Sequence, residues 1–196
     1  MPTIRRPRVS RPSLLLFDTV CIIEAKAQGV WDTLCTQYDV LVPETVVDEA
    51  QRFTTDAGRI FAIDLRPEVQ AGKCRIVAAS GADMRDTIQL WPQEIRDRAD
   101  PGEVEAITYL RLNNTGSIAF LTADGPAISA ASAMSCGHSA QSLAAICMST
   151  GIKKSFERRF TDAFVQQHRA AGLQMLLNPK GSAGGPHSRR NGPNRR

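Results

Sequence analysis

The sequence predicts an α/β fold in which a central parallel sheet is covered by helices on both faces. Three short apolar runs are typical of buried strands, and segments with helical spacing lie between them. Strands that alternate with helices form parallel sheets, because each helix returns the chain to the edge where the previous strand began. The chain has 196 residues, of which 42% are apolar. This is enough for one domain with a substantial core.

The first half of the body is predicted to form a strand, two helices, a second strand and a third helix. The run LLLF at residues 14–17 ends at Asp18 and indicates the first strand. A helix from Thr19 to Gln28 follows, with Gly29 as its stop, and WDTLCTQY predicts a second short helix. DVLV is the second predicted strand, and PETVVDEAQRF after it has apolar side chains on one helical face.

The second half contains the clearest helix start in the sequence. Asp100 is the predicted N-cap, Pro101 has the first helical position, and Glu103 can bond back to the cap. A helix is therefore predicted over 101–114. SIAFLTAD follows as the third buried strand, and GPAISAASAMS as the helix after it. Residues 54–99 contain a further predicted strand, CRIVAA, among helical pieces, and form a variable insert region.

The C-terminal stretch is predicted to form a basic amphipathic helix over 152–177. Phe156, Phe160 and Phe164 recur at four-residue spacing, with lysines and arginines around them. This aromatic stripe either packs on the body or faces a partner or a second copy of the chain. The predicted domain then spans residues 13–178.

Basic residues are concentrated at the two ends of the chain. The N-terminal arm, residues 1–12, and the C-terminal tail, residues 179–196, hold nine of the 24 basic residues and no acidic residue. The body is therefore acidic, with 15 basic residues against 20 acidic ones. This pattern favours a polyanionic partner, RNA or another nucleic acid, although Arg-rich ends also serve solubility alone. The candidate nucleic-acid-binding residues are Arg5, Arg6, Arg8, Arg11, Arg189, Arg190, Arg195 and Arg196.

The composition disfavours several other classes of protein. The apolar runs are far below the roughly 20 residues of a membrane span, so we expect no membrane segment and a cytoplasmic protein. The five cysteines are odd in number and form no C-x-x-C pair, which predicts reduced thiols and argues against structural zinc. Motifs of P-loop enzymes and serine hydrolases are absent. The Gly- and Pro-rich tail cannot form a core and is expected to be disordered unless bound.

Four carboxylates are predicted to converge at the carboxyl edge of the sheet. Asp18 follows the first strand and Asp124 the third, where the crevice of an open parallel sheet lies. Glu49 lies in the helix after the second strand, and Glu105 in the helix before the third. Glu105 is preferred to Glu103, which has the capping role and is expected to face elsewhere. Because close carboxylates repel by about 4 kcal/mol per pair, either some are protonated or a hard cation such as Mg²⁺ lies among them.

The order of these acids resembles the PIN-domain family of metal-dependent nucleases, which includes the VapC-type toxin ribonucleases. The likeness covers roughly residues 13–150. The segments that carry it are FDT at Asp18, VPETVVDE at Glu49, GEVEAI at Glu105 and FLTAD at Asp124.

This resemblance implies a three-layer α/β/α fold and an acidic pocket. The four acids would be both catalytic residues and ligands of Mg²⁺ or Mn²⁺, and the hydroxyl of Thr122 would support the pocket. The sequence departs from the family pattern at Val20, where Asn or Ser is frequent, and in the length of residues 54–99.

Three functional hypotheses remain. The first is a Mg²⁺- or Mn²⁺-dependent endoribonuclease, which in its narrower form is the toxin of a toxin–antitoxin pair with an antitoxin-like partner or self-association. The second is a non-catalytic nucleic-acid-binding module with a degenerate PIN-like fold, whose RNA binding would depend on salt but not on EDTA. The third, aspartyl-phosphate transfer, is disfavoured because Asp18 is not followed by the D-x-D-x-[TV] pattern.

Overall fold

The structure is a computed structural model in which the two ends of the chain and short internal stretches are left out of the description. Its backbone is described for residues 12–50, 53–54, 60–61, 63–113 and 116–177. Side chains are described for residues 12–48, 63–113 and 116–177. The arginines predicted in the arm and tail, and the predicted disorder of the tail, therefore lie outside the described residues.

A five-stranded sheet with all its strands parallel lies at the centre of the fold. Its strands are β1 (Leu14–Phe17), β2 (Asp39–Pro43), β5 (Arg75–Val77), β6 (Ile118–Leu121) and β7 (Ala140–Gln141). The order across the sheet is β5-β2-β1-β6-β7, so β1 is the central strand. The predicted α/β class and the parallel sheet are confirmed.

Helices connect these strands along the chain. They are α1 (Thr19–Ala27), α2 (Trp31–Gln37), α3 (Glu44–Ala50), α4 (Arg66–Gln70), α5 (Gly81–Gln89), α6 (Gln93–Arg96), α7 (Pro101–Asn113), α8 (Gly125–Ala133), α9 (Leu143–Ser149) and α10 (Asp162–Leu177). A two-stranded antiparallel sheet of β3 (Phe53–Thr54) and β4 (Ile60–Phe61) lies in the variable region. Within the described residues, no helix combines the length and apolar character that crossing a membrane would require.

Both faces of the sheet are buried under helices. On one face, Phe17 of β1 belongs to a core cluster with Ile22 of α1 and Leu34 of α2. On the other face, Leu16 belongs to a second cluster with Ile107 of α7. Because successive strand residues point to opposite faces, the fully apolar LLLF run is what a strand in the middle layer requires. The structure is therefore consistent with three layers, helix, sheet and helix.

The C-terminal helix begins ten residues later than predicted. Residues 152–157 have no regular structure, 158–160 form a short 3-10 turn, and α10 begins at Asp162. The four-residue spacing that predicted a helix instead seats Phe156 and Phe160 on the core from an irregular segment. The aromatic stripe thus packs largely on the body, as the first of its two predicted roles requires.

Candidate acidic site at the carboxyl edge of the sheet

Two aspartates mark the carboxyl ends of neighbouring strands. Asp18 directly follows β1 and caps α1, and Asp124 lies three residues after β6 and caps α8. In the sheet β1 pairs with β6 in parallel, with Phe17 opposite Leu121. The two carboxylates therefore lie at the same edge of the sheet, as predicted.

Asp18 is buried but well supplied with hydrogen-bond donors. Its side chain is in a residue only 6% exposed. Its Oδ1 accepts from the backbone N–H of Cys21 at 2.8 Å, and its Oδ2 from that of Ala123 at 3.3 Å. Burial raises the pKa of Asp18, the hydrogen bonds oppose this rise, and the charge of Asp124 adds to it.

Thr122 connects the two aspartates. Its hydroxyl donates to the carboxylate of Asp18 and accepts from the backbone N–H of Asp124 at 3.0 Å. Thr122 is buried, so its hydroxyl keeps these two hydrogen-bond partners rather than exchanging them with water. The T-x-D turn thereby orients both carboxylates, which is the geometry that a supporting role for Thr122 requires.

Asp124 is the carboxylate at the start of α8. Its Oδ1 accepts from the backbone N–H of Ala127 at 2.7 Å, which is an N-cap bond. Burial raises the pKa of Asp124, while this bond, the nearby imidazole of His168 and a hydrogen bond with Glu103 lower it in part. Asp124 is therefore in direct contact with a third acidic side chain.

Glu103 is the third carboxyl group, and sequence reasoning placed it elsewhere. Burial raises the pKa of Glu103 to about 9, and the charges of Asp124 and Asp18 contribute to the rise. A carboxyl group in this condition keeps its proton at neutral pH. The expectation that Glu103 faces away from the pocket is wrong.

The capping role of Glu103 explains why it reaches the pocket. Asp100 accepts from the N–H of Gly102 at 2.9 Å, and the Glu103 carboxyl accepts from the N–H of Asp100, which completes the predicted capping box. Such a glutamate folds back over the start of its helix. Since α7 runs back along the sheet before β6, its start lies at the carboxyl edge. The D-P-G-E signal therefore held the information that would have selected Glu103.

Glu105 has a different environment from the one predicted for a metal ligand. The residue is 3% exposed. One oxygen, Oε2, accepts from the N–H and the hydroxyl of Thr45 at 2.8 and 2.6 Å, and Oε1 accepts from the N–H of Ala79 at 3.1 Å. These bonds connect α7 to the start of α3 and to the segment after β5. Both oxygens are thus committed to structural bonds, and Glu103 is the α7 acid coupled to Asp18 and Asp124.

Glu49, the remaining predicted ligand, and Cys21, a nucleophilic residue type, belong to the helices that follow β2 and β1. Glu49 lies in α3, directly after β2, but its side chain lies outside the described residues. Cys21 lies beside Asp18, and burial raises the pKa of its thiol well above the ordinary value. Cys21 therefore stays a protonated thiol, which excludes it as a ready nucleophile.

His168 of α10 is a neighbour of the site that the sequence did not single out. Its ring lies against the backbone of Gly125, where an added Cβ would be 2.3 Å from the imidazole Cε1. The ring of Phe164 packs on it with a centroid distance of 4.4 Å. Only the tertiary contact between α8 and α10 brings His168 to Asp124, so no local sequence pattern could have found it.

The donor set fits Mg²⁺ or Mn²⁺ better than zinc. Among the described residues, no group of three or more His, Cys, Asp or Glu side chains is gathered as a metal ion needs. A closed cage made of protein ligands is therefore not formed by this part of the chain. Magnesium requires fewer protein ligands, because it binds through one or two carboxylates and keeps water and phosphate oxygens as its other ligands. Asp18 and Asp124 are the two carboxylates that such a site would use.

Comparison with known proteins assigns no family to this chain. It matches no protein-family model and no curated protein sequence. The chemistry of the acidic site must therefore be inferred from its own residues.

Proposed function

We propose that this chain is a Mg²⁺- or Mn²⁺-dependent ribonuclease of PIN type that hydrolyses phosphodiester bonds at the acidic site. The observation that carries the proposal is the gathering of Asp18, Glu103 and Asp124, three carboxyl groups whose pKa values are all raised. Clusters of titratable groups with shifted pKa values in a crevice are typical of functional sites.

The cost of burying these carboxyl groups close together supports a functional origin for the cluster. Two carboxylates about 4 Å apart repel by about 4 kcal/mol at an effective dielectric constant of 20. Glu105 is a buried carboxylate that accepts three hydrogen bonds from protein donors, and these bonds offset the cost of removing its charge from water. Glu103 has one backbone donor and three acidic neighbours, and it stays protonated instead. A divalent cation would remove this penalty.

Each residue of the site has a role that follows from its contacts. Asp18 and Asp124 would hold the cation, and Thr122 fixes their relative orientation through its hydroxyl. A bound Mg²⁺ or Mn²⁺ would supply an activated water and offset negative charge on the phosphate. Glu103 holds a proton beside Asp124 and would donate it to the oxygen that leaves the phosphate.

Glu49 remains a proposed third ligand beside Asp18 and Asp124. It belongs to α3, which begins directly after β2, and β2 lies beside β1 in the sheet. The start of α3 therefore lies at the same edge as Asp18. The narrower hypothesis, a toxin with an antitoxin-like partner, depends on the family resemblance alone and stays a prediction.

Cleavage of single-stranded RNA tests this proposal. Purified protein is incubated with labelled RNA in Mn²⁺ or Mg²⁺, alongside EDTA and the variants Asp18→Asn and Asp124→Asn. Asparagine preserves the N-cap bonds of both residues, so the helices should stay intact. We expect cleavage by the wild type and at least a hundredfold lower rate in either variant, by analogy with the loss of one strong transition-state interaction.

An exposed acid outside the site provides the matched control. Among the described residues, Asp64 accepts from the backbone N–H of Arg66 at its own turn, and Asp64→Asn should cleave like the wild type. RNA cleavage that persists in EDTA, or equal rates in Asp18→Asn and wild type, would contradict the proposal.

A non-catalytic nucleic-acid-binding module is the second candidate. Among the described residues, no three His, Cys, Asp or Glu side chains are arranged to hold a metal ion, and this favours a module without metal-dependent catalysis. This candidate predicts RNA binding that falls with salt, is unchanged by EDTA, and is accompanied by no cleavage.

A further inference from the structure

The connection between α9 and α10 carries exposed cations that we call the basic strip. The strip consists of Lys153, Lys154, Arg158 and Arg159. Ile152 and Phe156 pack against the core, and Phe160 is 1% exposed. Because these apolar side chains point inward at four-residue intervals, the cations between them are held at the surface without a helix.

The C-terminal end of the basic strip lies near the acidic site, whereas Lys153 and Lys154 follow α9, whose Ser149 contacts Tyr38 at the amino end of β2. Phe160 belongs to the same core cluster as Phe17, which precedes Asp18, and Cys21, whose backbone N–H donates to Asp18. The guanidinium of Arg159 lies over the Phe160 ring, 5.0 Å from its centroid. Its charge is near enough to Cys21 to lower the pKa of that thiol against the larger effect of burial.

A second contact joins the same end of the strip to α10. Nη2 of Arg158 donates to Oε1 of Gln167 at 2.7 Å. The next residue on α10 is His168, whose ring lies against Gly125 beside Asp124. The C-terminal end of the strip is thus joined to α10 through Gln167 and lies near the end of β1 through Arg159.

Most of the charge on the strip is not neutralised within the fold. Glu157 is the one acid in the segment, and it pairs with Arg159 at 3.3 Å in a solvent-exposed ion pair, which is a weak interaction. Neither Lys153 nor Lys154 forms an ion pair with any residue that the structure describes. Four cations against one acid therefore leave the strip with a net positive charge.

We propose that the basic strip binds the phosphate backbone of the single-stranded RNA that the acidic site cleaves. The choice of RNA as the ligand depends on the proposed function. An acidic pocket repels a polyanion, so a substrate of this kind needs cations close to the pocket to hold it. Lysine and arginine side chains on an exposed segment bind phosphates without reading sequence, which suits a backbone contact.

The salt dependence of RNA binding tests this inference independently of cleavage. Binding of a fluorescent single-stranded oligonucleotide is measured by anisotropy in EDTA, so that metal-dependent cleavage is stopped. Each phosphate contact on a single strand contributes about 0.7 to the slope of log affinity against log salt. Lys153→Gln/Lys154→Gln should reduce the slope by about 1.4, and replacing all four cations should reduce it by about 2.8.

A control variant removes the same charge at the opposite edge of the sheet. Lys73 lies just before β5 and pairs with Asp32 at 2.7 Å, and Arg75 begins β5 and pairs with Asp39 at 3.7 Å. Lys73→Gln/Arg75→Gln should leave the slope close to that of the wild type. Lys153→Gln/Lys154→Gln alters no described ion pair, so a folding defect is not expected there.

The outcomes separate this inference from the proposed function. Strip-dependent RNA binding without any cleavage in Mn²⁺ would refute the nuclease and leave the strip as an RNA-binding surface. Cleavage by a quadruple variant whose affinity and salt slope equal those of the wild type would refute RNA binding by the strip and leave the proposed nuclease activity standing. Lack of salt-dependent RNA binding by the wild type would also overturn it.

Discussion

Glu103 and Glu105 lie two residues apart on one helix and have opposite relations to the fold. The carboxylate of Glu105 is stabilised by three donors from Thr45 and Ala79. The carboxyl of Glu103 faces Asp124 and Asp18, and burial raises its pKa to about 9. Glu105 is therefore a structural hydrogen-bond acceptor, whereas Glu103 belongs to the acidic site, where its ionised form is destabilised.

Replacing each by glutamine should change stability in opposite directions. Glu103 binds a proton in the folded state that the unfolded chain loses near its ordinary pKa of 4.5, so stability falls as pH rises from there to about 9. Glu103→Gln cannot ionise and retains the capping bond, so it should raise the free energy of unfolding at pH 8 by at least about 1.4 kcal/mol, one pKa unit. Glu105→Gln places an amide NH₂ against backbone donors and should cost about 3 kcal/mol.

Urea unfolding in EDTA at pH 6 and pH 8 measures both effects. The advantage of Glu103→Gln over wild type should be larger at pH 8 than at pH 6, because the penalty of keeping a proton grows through that range. If Glu103→Gln destabilised the protein at pH 8, or Glu105→Gln left it unchanged, the assignment of the two roles would be wrong.

At the same scale, the sequence identified some site residues and missed others for clear reasons. Asp18 and Asp124 were predictable because the end of a buried strand is a local signal. Glu103 was passed over because capping was treated as excluding a role in the site, whereas the capping geometry brings its carboxyl to the edge. The place of His168 could not be predicted from the sequence, because it depends on how α10 packs against α8.

Helix α10 is the element that depends most on close packing. An added Cβ on Gly172 would be 2.2 Å from the carbonyl oxygen of Ser129 and 2.7 Å from Cβ of Ser132. The hydroxyl of Ser129 in turn donates to the carbonyl of His168 at 3.0 Å. The backbone of α10 therefore touches that of α8, and this contact sets where His168 lies.

Gly172→Ala should force α10 away from α8. The strain of such overpacking exceeds the helix propensity that alanine adds, so we expect a loss of about 2 kcal/mol in the free energy of unfolding. Gly81→Ala in α5 is the matched control, since its nearest contact would be Nη1 of Arg85 at an ordinary 3.5 Å. Thermal unfolding of the two variants measures this difference, and equal melting temperatures would contradict the close contact.

The elements that were predicted correctly have strong local signals, and those that were not depend on neighbours. The runs that form β1 and β6 and the capped start of α7 are readable from a few adjacent residues. Strand β7 has only Ala140 and Gln141, and its identity as a strand comes from pairing with Phe120 and Leu121. The segment 152–161 had helical spacing, but burial of Phe160 in the core decided its conformation instead.

Across the whole molecule, opposite charges are separated by position. The acids of the site lie where β1 and β6 end, and the basic strip lies on the connection to α10, with its Arg159 end near Cys21. Further arginines are concentrated in the arm and tail, at the two ends of the sequence. A chain with an acidic site and basic surroundings is suited to a cation and a polyanion together, which is the combination that a phosphodiester substrate requires.

Direct binding of Mn²⁺ to the protein is the measurement that tests the central claim most directly. Equilibrium binding followed by the Mn²⁺ electron paramagnetic resonance signal compares the wild type with Asp18→Asn/Asp124→Asn and with the surface variant Asp64→Asn. The account predicts binding to the wild type and Asp64→Asn and an affinity at least about tenfold weaker in the double variant, as loss of site residues typically causes. Equal affinity in all three proteins, or no binding to the wild type, would contradict it.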